Sequence, residues 1–130
     1  MAFRSISYNG LSWEQEQEYR RLAEERKKRI AEEVYNEYAP KFKKKYAKTL
    51  KELKARAEKH EILFVAEIWT GCGGGIPTYT TFDLDDAIRK ACYMGWDNGH
   101  RDLTRIEYQV IGYHHDYYAK EIGYLGFPRN

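Results

Sequence analysis

Cysteine is nearly absent from this chain. Cys72 and Cys92 are the only two, and they form neither a CxxC pair nor a disulfide framework. A reduced, cytoplasmic setting is the expectation. No run of roughly 18 apolar residues occurs, which excludes a transmembrane helix. The opening residues Met1-Ala2-Phe3-Arg4 lead into no apolar segment, so no secretory signal is expected. Nucleotide-binding signatures are missing too. The run Gly71-Cys72-Gly73-Gly74-Gly75 is followed by no Gly-Lys-Ser/Thr, and it opens a strand rather than a helix. No two carboxylates stand at a catalytic spacing, so hydrolase chemistry has no specific support.

What is present is charge, divided unevenly. Residues 1–60 hold 16 Lys/Arg against 10 Asp/Glu, and residues 61–130 hold 6 against 10. The small net charge of +2 therefore hides opposite surpluses in a charged helical arm or hairpin, 1–60, and a small α+β module, 61–130. At 130 residues the two are expected to form one cooperative domain.

The first half reads as helix. Ser12 and Gln15 have capping-box spacing, and Glu14, Glu16 and Glu18 favour the positive end of a helix dipole. Tyr19, Leu22, Ala23, Ile30, Val34 and Tyr38 form one stripe, and Phe42, Tyr46, Leu50, Leu53 and Ala57 form a second. At roughly 100° per residue the two stripes point well apart, so one straight helix cannot bury both against one surface. Pro40 supplies the expected break, giving a helical pair or a single kinked helix. Stripes this narrow need covering, and an arm that projects predicts self-association into a homo-oligomer.

The second half alternates β and α signals. Residues 61–70 are apolar on both faces, as suits a strand covered on both sides. Residues 76–82 resume in β-prone residues, and Pro77 places them at an edge. Asp83 caps a helix over 83–98, whose face is Leu84, Ala87, Ile88, Ala91, Cys92 and Gly95. Thr104 to Tyr113 returns to strand, with Ile106, Tyr108 and Val110 alternating against Arg105, Glu107 and Gln109. The aromatic tail forms a short last strand, a helical turn or a packed extension. The fold class is α+β in the order α-α-β-β-α-β, with a small antiparallel sheet packed on one helix.

Residues 41–59 concentrate the positive surplus, nine Lys/Arg against Glu52 and Glu58. Lys43, Lys44, Lys45, Lys48 and Lys51 would attract phosphate or an acidic surface, while a merely solvated helix face has the same composition. Trp69 and Tyr79, beside the glycine loop, and Trp96 and Arg101, around a helix end, are the candidate contact residues of the second half. Cys72 in the loop would need a base such as His100, His114 or His115 to act as a nucleophile. A structural zinc would draw on Cys72, Cys92 and His114, without the close ligand pairs zinc sites usually show. Tyr108, Tyr113, Tyr117, Tyr118 and Tyr124 lack the interleaved cations of a single-strand binding platform.

The resulting expectation is a non-enzymatic regulator that binds another protein or a nucleoprotein complex, with no catalytic residues and no membrane association. Small, charge-segregated chains without motifs are common among phage accessory proteins, including inhibitors of the anti-CRISPR-like or wider anti-defence type, an analogy of kind. Direct nucleic-acid binding by 41–59 is the first alternative. A small enzyme or ligand-binding protein built on loop 71–75 with Cys72 and histidine is the second.

Overall fold

The computed structural model describes residues 10–68, 78–97, 101–112 and 119–127, with Arg101 described in its backbone alone. Its elements run α1 (Trp13–Lys45), α2 (Ala47–Glu58), β1 (Ile62–Ile68), β2 (Thr78–Thr81), α3 (Leu84–Asp97), a 3₁₀ turn (Arg101–Leu103), β3 (Thr104–Val110) and β4 (Lys120–Tyr124). The α+β class and the order α-α-β-β-α-β hold, with β4 realising the short last strand among the endings open to the tail.

α1 begins where its caps dictate. The Ser12 hydroxyl accepts from the Gln15 amide, and the Gln15 side chain accepts from the Ser12 amide. Pro40 does not end the helix. It lies on the exposed side between buried Ala39 and Phe42, so packing of its neighbours holds the helical path where proline alone would bend or break it. The break falls at Tyr46, whose backbone leaves helical geometry at φ −112° and ψ 23°. Its aromatic ring explains the position. A Cβ on Gly123 of β4 would lie 2.1 Å from the Tyr46 ring, so only glycine lets that ring settle on the strand. α2 then ends in a Schellman motif: His60 donates to the Ala57 carbonyl, Glu61 to the Arg56 carbonyl, and His60 takes φ 57°.

The four strands form an antiparallel sheet in the order β2-β1-β3-β4. β1 is therefore central and β2 an edge, as the apolar faces of 61–70 and Pro77 imply. Register sets the faces. Ala66 lies opposite Ile106, Phe64 opposite Tyr108 and Ile68 opposite Thr104, and this face carries the core. α3, capped by the Asp83 carboxylate on the amides of Asp85 and Asp86, lays Ala87, Ile88, Ala91 and Cys92 into that core. Val34, Ala39 and Phe42 of α1 join them, as do Leu50, Leu53 and Ala57 of α2, with Leu125 and Phe127 closing one end. Each fully buried Ile or Phe contributes roughly 1.5–3 kcal/mol, and this single cluster draws on both halves of the chain.

α1 behaves differently along its length. No residue of α1 before Val34 is buried, and from Trp13 to Leu22 only Glu16 is less than exposed. The first turns stand clear of the body. None of the described helices is long and apolar enough to cross a membrane.

Candidate binding surface

Lysine supplies the surface on α2 and the last turn of α1. α2 turns Leu50, Leu53 and Ala57 inward, and helical geometry then sends Lys48, Lys51 and Lys54 outward or to the flank. Lys44 and Lys45 precede them on the exposed end of α1. Among the described residues Lys44, Lys48, Lys51 and Lys54 make no ion pair. Lys45 lies over the Tyr46 ring, 5.4 Å from its centroid.

Lys43 has another task. Its ammonium donates to the Tyr35 hydroxyl at 2.7 Å and to Asp85 Oδ1 at 3.2 Å. Tyr35 donates to the same carboxylate, and Arg89 reaches Asp85 Oδ2 at 2.9 Å and Glu32 at 2.7 Å. The Arg89 guanidinium also stacks 3.9 Å from the Tyr35 ring centroid. Burial works against the Asp85 carboxylate, but the hydrogen bonds from Tyr35, Arg89 and Lys43 outweigh it and hold its carboxyl below the usual range. This clasp fastens α1 to the start of α3. Lys43 thus belongs to the frame rather than to the open lysine face.

Between α2 and α3 runs a groove of about 410 Å³, lined by Lys43, Lys51, Lys54, Asp83, Asp85 and Leu84 among others. Three ammonium groups and two carboxylates share it, which leaves it one positive charge in excess, and Lys44 and Lys48 add further positive charge outside it.

The remaining candidates scatter. Tyr79 is half-buried at the edge strand, donating to Asp86 at 2.7 Å with Lys90 over its ring. Trp96 is half-buried against the core and beside Tyr93, with 6.1 Å between ring centroids. Trp69, Cys72, His100, His114 and His115 lie outside the described residues, as do the glycine loop and Tyr113, Tyr117 and Tyr118. Cys92 is fully buried on the core face of α3, where burial pushes its thiol up to about 12. Tyr108 and Tyr124 are half-buried in strands, Tyr108 packed against the core. Among the described residues no three His, Cys, Asp or Glu side chains gather as metal ligands.

One cluster escaped the sequence. Glu67 pairs in register with Arg105, and Val65 with Glu107, so Glu67 and Glu107 are diagonal neighbours on the sheet face away from the core. Glu107 is only 3% exposed. Arg105 donates to its Oε2 at 2.9 Å and reaches Glu121 at 3.5 Å, while Glu107 Oε1 is buried without a conventional donor. Burial, reinforced by the neighbouring Glu67 carboxyl, pushes the Glu107 carboxyl up to about 8 despite Arg105. The signal was the two-sided apolarity of β1. Whatever strand pairs with it shares its covered outer face, but the sequence does not say which strand that is. One arginine shared among these carboxyls, with Glu107 raised by burial, is the chemistry of a buried polar network.

Compared with protein-family models, curated proteins and solved structures, the chain matches none.

Proposed function

We propose that this is a non-enzymatic binding protein that regulates a larger assembly by docking its lysine face on an acidic surface of a protein or nucleoprotein complex. One observation carries the reading: on the last turn of α1 and on α2, Lys44, Lys48, Lys51 and Lys54 are exposed and make no ion pair among the described residues, whereas Lys43 and Arg56 beside them are paired with acids. Unpaired surface cations raise association rates and select acidic partners without being needed for the fold. In its narrower form the protein is a cytoplasmic inhibitor of a nucleoprotein complex, of the anti-CRISPR-like or anti-defence kind.

Direct nucleic-acid binding is the second reading, favoured by the same four lysines, which suit phosphate contacts. Residues 41–59 contain no Asn or Gln, and their one arginine, Arg56, pairs with Glu61 at 3.4 Å. Base edges would go unread, so such binding is expected to be indifferent to sequence.

Affinity capture from the native host, with protein mass and nucleic-acid content measured on the eluate, tests both. The expected result is a stoichiometric protein or nucleoprotein partner that is lost when Lys44, Lys48, Lys51 and Lys54 are all replaced by Glu. Retention of the partner by that variant refutes the lysine face. Purified duplex separates the readings. Four phosphate contacts predict a log–log salt slope of roughly −3.6 if nucleic acid is the direct target.

A further inference from the structure

We infer that the outer face of α1 is the seam of an antiparallel homodimer, in which residues 14–30 of two copies pair about Leu22. The face is defined by what it avoids. Glu24, Lys27, Lys28 and Ala31 line the groove toward α3, so they mark the inner side of α1. At about 100° per residue, Gln15, Leu22, Arg26, Arg29 and Glu33 lie roughly half a turn around from Ala31, on the opposite side. All five are exposed, and Leu22 is 49% so. With Tyr19, 47% exposed, they follow the alternating four-and-three spacing of a helix–helix seam. A partner helix along this face meets neither α3 nor the core.

Charge selects the occupant. Residues 14–18 contain Glu14, Glu16 and Glu18 and no cation, while residues 26–29 are Arg26, Lys27, Lys28 and Arg29 without an acid. Parallel pairing of two copies would set acid on acid and base on base. Antiparallel pairing about Leu22 sets Glu18 opposite Arg26 of the second copy and Gln15 opposite Arg29, twice over by symmetry. Arg26 and Arg29 make no ion pair among the described residues, so both are available for the exchange. Tyr19, Leu22 and Ala23 form the apolar centre, with the arginine stems extending it on both sides. The overlap spans about 25 Å of helix. This covers α1 where the body does not, and it leaves the lysine face of α2 open on each copy.

Sedimentation velocity of the full chain over a concentration series tests the inference. The expected species has twice the 15.5 kDa chain mass. Leu22→Glu is expected to halve that mass with an unchanged circular dichroism spectrum, because Leu22 touches no core. Two charge variants, Arg26→Glu/Arg29→Glu and Glu14→Lys/Glu18→Lys, should each sediment as single chains and recover the doubled mass when mixed. A single-chain mass for the unaltered protein at every concentration overturns the inference. So does a dimer that survives Leu22→Glu, or a mixture that fails to recover. The four-lysine variant of α2 should keep the doubled mass, so loss of partner binding and loss of the dimer are read separately.

Discussion

Along α1, Arg20, Arg21 and Lys27 reach glutamates one turn away while remaining more than half exposed, whereas on β3 the side chains of Arg105 and Glu107 keep 13% and 4% of their exposure. The same two residue classes make both sets of pairs. On the helix, water has barely been displaced, so forming the pair changes little. On the outer sheet face two carboxyls and a guanidinium have lost most of their water, and each depends on the others. Charge on the first turns of α1 is therefore available to partners and nearly irrelevant to stability, while charge on the sheet is committed to the fold.

The largest expected effect breaks the committed side. Arg105→Ala leaves Glu107 buried beside Glu67 without its cation, and should destabilise the protein by about 3–5 kcal/mol in urea unfolding at a pH above about 8, where the Glu107 carboxyl is ionised. A loss below about 1 kcal/mol would show that water reaches the cluster and that the contrast is false.

The next effect is a pH dependence. The folded protein holds the Glu107 proton up to about 8, against an ordinary value of 4.5 when unfolded. Between those values the native state binds a proton that the unfolded chain has released, so stability is full below the lower value and declines as pH rises through the upper one. Glu107→Gln supplies a permanent donor and should flatten that decline in urea midpoints measured across the window. An undiminished slope in the variant would assign it to another group.

How much of this was legible depended on periodicity. Leu84, Ala87, Ile88, Ala91, Cys92 and Gly95 announced α3 and its buried face, and Asp83 its start, because capping and helical spacing are local. Ser12 and Gln15 fixed the start of α1 equally well. The break at Tyr46 was not local: it rests on a ring meeting Gly123, 77 positions away, and Pro40 was the stronger signal within the segment. Glu107 was read as outward by alternation, which was right, and burial of the outward face depended on a pairing that only register reveals. On the candidate surface, composition located the lysines but not the clasp through Asp85 that removes Lys43 from them.

Pro40 offers a smaller test on the helical side. Proline in a helix interior is about 3 kcal/mol less favourable than alanine, partly offset by its restriction of the unfolded chain. Since Pro40 is exposed and the helix continues through it, Pro40→Ala should stabilise by about 1–2 kcal/mol without altering partner binding. Destabilisation would mean that a bend at Pro40 is needed to seat both Val34 and Phe42.

The smallest expected effect is the most direct statement of the contrast. Arg21 bonds Glu18 at 2.5 Å and Glu25 at 2.6 Å, so by distance alone it makes the tightest ion pairs among the described residues. By exposure it should matter least, since all three side chains are more than half open to solvent and salt screens what attraction remains. Arg21→Ala should leave the urea midpoint within measurement error at physiological salt, with any shift confined to low ionic strength. A midpoint change comparable with that of Arg105→Ala would mean that the shaft of α1 is not solvated in solution. The antiparallel seam makes that outcome informative, because a second copy laid along α1 would dry these pairs, and the effect of Arg21→Ala would then grow with protein concentration.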